Sequence, residues 1–238
     1  MAPERFPGWI ASFGGRHGAV SVKAEPDGVV LFAAADGARA RAHPPFPPRP
    51  GLGTAPDPVG QDPVGQDPGK VAQLIAAHAA ADRTVGVLLV RLGGYAAGVF
   101  TGAPPRLAAS KVGSRLVHGR SAAGGQSQQR FARRREKQAA EALGAAADTA
   151  AGVFGRFGRP LDALVLGGDR RAVAALRDDP RLRGYFAAAV ERFLTVPDPR
   201  LAVLRETPRM FRAIQVQLTE PRRTGPGPDR APADQARV

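Results

Sequence analysis

Apolar residues along this chain repeat with two different periods, and the stretches where neither holds are as informative as those where one does. Near the start, residues 19–24 (AVSVKA) and 28–34 (GVVLFAA) are short runs rich in Val and Ala. They flank Glu25-Pro26-Asp27-Gly28, and a second turn signal, Asp36-Gly37, follows. Short runs bounded by Pro, Asp and Gly predict strands. Residues 1–42 therefore read as a small β element, near the lower size limit for folding alone and so expected to pack on the rest of the chain. Residues 43–69 (HPPFPPRPGLGTAPDPVGQDPVGQDPG) carry no apolar period and contain DPVGQ twice, at 57–61 and 62–66. They read as a Pro/Gly-rich linker.

From residue 70 the rhythm returns. Val71, Leu74, Ile75 and His78 have the 3-4 spacing of one helix face. Residues 84–92 (TVGVLLVRL), 94–101 (GYAAGVFT), 106–111 and 114–118 read as four strands in a meander. A long helix is predicted from 127 to 157, with Ala139, Ala142, Leu143, Ala146, Ala150, Val153, Phe154 and Phe157 forming one buried stripe. A buried strand follows at 161–166 (LDALVL), then Gly167-Gly168-Asp169 opening a helix over 170–178, with Asp169 as its cap. A strand within 187–196 and a helix over 200–218 complete the pattern, and residues 220–238 read as a polar, disordered tail. The order predicts an α/β domain over 70–219. Its sheet is mixed: an antiparallel meander, a long helix after a glycine loop, then β-α-β crossovers.

Charge narrows the class of partner. Lys+Arg is 34 against 21 Asp+Glu, a net charge of +13. Such a surface fits nucleic acid or an anionic membrane. No window is apolar enough for a membrane span, and MAPERFPGWIASF holds no signal-peptide core. A cytoplasmic protein with no membrane partner is expected. Cysteine is absent, which removes disulfides, thiol nucleophiles and thiolate zinc sites. The four histidines (His17, His43, His78, His118) are scattered, so neither a metal site nor a cofactor is expected.

The positive charge is concentrated. Lys111, Arg115, Arg120, Arg130, Arg133, Arg134, Arg135 and Lys137 stand against Glu136 alone, eight cations to one acid and a local charge of +7. Arg130, Arg133, Arg134 and Lys137 recur at i, i+3, i+4 and i+7, one face of the predicted helix. Cations in the first turns oppose the helix dipole at a cost of roughly several tenths of a kcal/mol each. A bound polyanion would offset that, whereas an ordinary solvated face would mix signs. Just before them, Ser121-Ala122-Ala123-Gly124-Gly125 has no bulky side chain and lets the backbone approach a ligand. Gln126, Gln128 and Gln129 cannot act as general bases, but an amide can hold a water or a carbonyl. Positioning of that kind is what hydrolysis of an activated ester requires.

GGQSQQRFARRR, residues 124–135, resembles the Gly-Gly-Gln loop and helix start of eukaryotic and archaeal class I release factors. The order of strands around it, with the long helix and LDALVLGGD, is similar to the middle domain of those factors. The nearer resemblance is to Vms-type release-factor-like proteins of ribosome quality control and their actinobacterial relatives, whose loop is Gly-x-x-Gln; here Gly125-Gln126-Ser127-Gln128 fits. The resemblance spans roughly residues 70–218. It implies an RNase H-like middle-domain fold and hydrolysis of peptidyl-tRNA, with water attacking the ester that joins nascent peptide to tRNA.

The implied site is Gly124, Gly125, Gln126 and Gln128, with Arg115, Arg120, Arg130, Arg133, Arg134, Arg135 and Lys137 holding RNA. The release-factor register nominates Gln126. The Vms-type register nominates Gln128, which is favoured here. The implied partners are peptidyl-tRNA and the large ribosomal subunit with its RNA. No codon-reading domain and no zinc finger can be found in the sequence, so the implied activity is codon-independent and directed at stalled ribosomal complexes. The alternative is a non-catalytic RNA- or ribosome-binding protein that uses the basic helix face alone. A nuclease is disfavoured because no carboxylate pair suited to metal stands out.

Overall fold

The computed structural model describes residues 1–25, 28–47, 67–91, 93–115 and 127–221; for 127–132, 134 and 135 it describes the backbone alone. The described chain forms two sheets with helices packed on them. Strands β1 (Val20–Ala24), β2 (Val30–Ala34), β3 (Arg39–His43) and β9 (Gln215–Thr219) form an antiparallel sheet in that order. Helices α1 (Phe6–His17) and α2 (Pro68–Ala80) pack together over it. Phe6, Ile10 and Phe13 of α1 and Val71, Ala72, Ile75 and Ala79 of α2 share one core with Val22, Val30 and Phe32.

Several expectations change here. Helix α2 packs on α1 and β1, and residues 215–219 pair with β3. Helix α1 was not anticipated. Nor was β3, whose inward residues are only Ala40 and Ala42. The helix predicted over 200–218 stops at Phe211 (α6, Leu201–Phe211), and the chain turns through Ile214 to add β9 to β3. Arg192 holds this corner by donating to the carbonyls of Met210 and Ala213, and its burial pushes the guanidinium pKa down.

The second sheet has the order β6-β5-β4-β7-β8, with β4 Val85–Arg91, β5 Gly94–Thr101, β6 Arg106–Ser114, β7 Ala163–Gly168 and β8 Ala189–Leu194. Strands β4, β5 and β6 form the antiparallel meander, while β7 runs parallel to β4 and β8 parallel to β7. This is the mixed sheet with β-α-β crossovers that the pattern predicts. The meander has three strands rather than four, because residues 106–114 form one strand on β5. Residues 116–118 of the fourth predicted strand lie outside the described residues.

Strand β4 is buried on both faces, which explains its unbroken apolar run. Val85, Val87 and Leu89 face Leu204 and Phe211 of α6. Leu88 and Val90 face Ala146, Ala150 and Phe154 of α3 (Ser127–Phe157), which has the predicted bounds. The helix predicted over 170–178 is α4 (Arg170–Ala175) plus a 3₁₀ turn, Leu176–Asp178; α5 (Arg183–Phe186) follows.

Candidate functional site

The carboxyl ends of β4, β6 and β7 lie at one edge of the mixed sheet. Arg91 pairs with Gly94, Gly94 with Ser114, and Val90 with Gly168, so these residues form a row across four strands. The backbone N–H of Arg115 extends the row by donating to the Gly93 carbonyl at 2.8 Å. Helix α3 returns from this edge toward the opposite end, where β7 begins. Among its described side chains, burial starts at Ala142, and Arg133, Glu136, Lys137, Ala139 and Glu141 are exposed. The fifteen residues from Ser127 to Glu141 amount to ~22 Å of helix at 1.5 Å per residue, ahead of that first buried position.

The predicted residues separate into three groups. Gly124, Gly125, Gln126 and Arg120 lie outside the described residues. Gln128, Arg130, Arg134 and Arg135 are placed on the α3 backbone, Gln128 in its first turn. Arg115, Arg133 and Lys137 are described in full and exposed.

Helix register adds a distinction that residue spacing at the site alone does not show. Eighteen residues make about five turns, so positions eighteen apart lie on the same side of the helix. Position 128 is thus in line with Ala146, which is buried against the sheet. Positions 130, 133, 134 and 137 are in line with Asp148, Ala151, Gly152 and Gly155, of which Asp148 and Gly155 are exposed and the others half-buried. The glutamine position continues the packed side of α3 and the cationic positions continue its solvent side. Arg181 fixes the helix further along, pairing with Asp148 on α3 and with Asp179 at 2.7 Å. Those contacts push the Arg181 pKa up and, from Arg181, hold the Asp179 carboxyl low.

Residues 83–217 match the family model described as Actinobacteria/chloroflexi VLRF1 release factor. The chain belongs to this family of release factors. No curated protein matches it. The matched span runs from just before β4 into β9, so it includes the mixed sheet and α3 and leaves out β1–β3, α1 and α2. Membership of the VLRF1 family gives the protein a release-factor-like role in translation. Among the described residues, no helix is long and apolar enough to cross a membrane, and no group of His, Asp or Glu could hold a metal ion.

The same edge of this release-factor domain holds a feature the sequence reading passed over. A cleft of about 500 Å³ is lined by Arg91, Gly168, Asp169, Arg170 and Arg171. Asp169 caps α4 as predicted, its Oδ1 accepting from the backbone N–H of Arg171 (2.8 Å) and Ala172 (3.0 Å). The Arg170 guanidinium lies 4.3 Å from the centre of the Phe193 ring, and Arg91 Nη1 donates to the Val196 carbonyl at 2.9 Å. Beside the cleft, an apolar hollow of about 350 Å³ separates Val90 and Tyr95 from Ala139 and Ala142 of α3. The available signal was two arginines directly after a buried strand ending in Gly-Gly-Asp. Arg91, 79 residues earlier than Arg170, joins them only once β7 pairs with β4.

Proposed function

We propose that the protein is a peptidyl-tRNA hydrolase that releases nascent peptide from tRNA on stalled ribosomal complexes, independently of the codon. The observation that carries this reading is the start of α3. In a member of a release-factor family, the helix that follows the Gly-Gly-Gln-type sequence begins at Ser127, ~22 Å of helix ahead of Ala142, its first buried residue among the described side chains. A helix start set that far from the buried part of the helix can present its first turn to a separate ligand. Gln128, in the first turn, is the favoured residue to hold the attacking water, because a helical backbone fixes its position and fixed position is what the reaction needs. Gln126 is the other candidate. Arg115, Arg120, Arg130, Arg133, Arg134, Arg135 and Lys137 hold the RNA by charge, the partner being peptidyl-tRNA with large-subunit ribosomal RNA around it, in the cytoplasm.

Single-turnover hydrolysis of peptidyl-tRNA tests the proposal. Gln128→Ala should slow peptide release by about 10²-fold, as loss of one positioned polar group typically does, with tRNA left intact and binding retained. The same loss in Gln126→Ala with a normal Gln128→Ala would move the role to Gln126. Full activity in the double variant would refute the glutamine mechanism. Binding without any release by the unaltered protein would leave an RNA-binding module.

A further inference from the structure

We propose that the cleft between Arg91 and Arg170–Arg171 is a phosphate site that takes a backbone phosphodiester of the bound RNA, about six nucleotides from the end that reaches position 128. This rests on the reading that the ligand is an RNA whose 3′ end is presented to the start of α3.

Charge is the first argument. Three guanidinium groups line the cleft with one carboxylate, and Asp169 Oδ1 already accepts two backbone N–H groups. Among the described residues, none of Arg91, Arg170 and Arg171 forms an ion pair with a carboxylate. Clustered like charges repel, and an anion between them reverses the sign of that term.

Preorganisation is the second. Arg91 is held by the Val196 carbonyl through one nitrogen, which leaves the rest of its fork to donate. Arg170 is held by the Phe193 ring. Guanidinium forks fixed in this way lose little freedom when they grip a phosphate through paired bonds.

Position is the third. From β4 the chain turns back to β5 on one side, and from β7 it crosses to β8 on the other. The cleft therefore lies outside the carboxyl ends of two parallel strands at the point where the order reverses, which is where ligands bind in open α/β sheets. The adjoining hollow reaches Ala142, on the packed side of α3, the side that position 128 continues. Fourteen residues separate 142 from 128, or ~21 Å along the helix, which matches about six stacked nucleotides at ~3.4 Å each. The cationic positions 130, 133, 134 and 137 continue the opposite side. The cleft, not that stripe, shares a side with the proposed reacting end.

The experiment uses the full chain and an RNA hairpin with a single-stranded 3′ end, with affinity measured across a salt series. In Arg170→Gln/Arg171→Gln the slope of log K against log salt should fall by about two, with affinity lowered at least tenfold at low salt. Arg156→Gln/Arg159→Gln, in and just after the last turn of α3, is the control and should leave the slope unchanged. Should the double variant fail to fold, Arg171→Gln alone should lower the slope by about one, since the Arg171 side chain makes no hydrogen bond or ion pair among the described residues.

An unchanged slope, or an equal fall in the control, overturns the site. Binding of inorganic phosphate that the double variant abolishes, with the RNA slope unchanged, makes it a free-anion site and also overturns the proposal. An arginine-dependent slope in a protein that releases no peptide upholds the cleft while refuting the hydrolase. Peptide release with an unchanged slope does the reverse.

Discussion

Replacing Gly168 with alanine should loosen the pairing of β4 with β7, and its cost can be worked out contact by contact. Gly168 has φ of 98°, a region that costs a residue with a side chain about 1–2 kcal/mol. An added Cβ would stand 2.2 Å from the Val90 carbonyl oxygen and 2.9 Å from its carbon. Both are backbone atoms, so no side-chain rotation relieves the clash, and β7 must move from β4 by about an ångström. That movement breaks or stretches the 2.7 Å bond from the Asp169 N–H to the same oxygen, worth about 1 kcal/mol. The total is about 3 kcal/mol, or ~6–12 °C in Tm for a chain of this size. Gly144→Ala is the built-in contrast. Gly144 is exposed on α3 with nothing within 4 Å of an added Cβ. The change should raise stability by about 0.5–1 kcal/mol through helix propensity. Paired thermal melts of the two variants give the answer. A Gly168→Ala protein melting within ~2 °C of the parent would refute the reasoning about the β4–β7 contact.

Phe154→Ala removes the ring that packs against Tyr185 (centroids 5.2 Å apart) and should cost about 3–5 kcal/mol by denaturant titration; a loss below ~1 kcal/mol would mean α3 is not anchored there. The Asp36 carboxyl is held below its usual value by the Ala38 N–H and then by His17. A depressed carboxylate contributes stability above the unfolded pKa of ~3.9 and loses it as pH falls through the folded value, so the gap in Tm between the parent and Asp36→Asn should close on acidification below about pH 4. A gap that stays constant from pH 6 to acid would show that the charge contributes nothing.

Much of the mixed sheet was legible because its local signals agree with its tertiary role. α3 has one apolar stripe over its buried half, and its first four turns are mostly polar; β4, β5 and β7 are apolar runs because both faces are covered. The first sheet was harder. Phe6, Ile10 and Phe13 do have helical spacing, but Pro7, Gly8, Gly14 and Gly15 among them mask α1. In β3 the buried positions are alanines between arginines, and in β9 the sequence QVQLT is mostly polar. β3 is a strand because it lies between β2 and β9, and β9 is one because β3 supplies its hydrogen bonds, which are non-local facts. The same holds at the site. The arginine stripe was visible because its members are neighbours on one helix. The Arg91–Arg170–Arg171 cleft was not, because the pairing of two strands assembles it.

The pairing of β3 with β9 also sets a clock on the making of the protein. Arg39 is matched with Thr219, so β3 is translated long before its partner. At roughly 5–20 residues per second the ribosome needs about ten to forty seconds to bridge that interval. Until then β2 and β3 can form, but the outer edge of β3 has no strand to receive it. An open edge invites pairing with another nascent chain, and charged side chains discourage it. Arg39 and Arg41 are exposed on that strand, so the residues that made β3 hard to recognise also protect it while it waits.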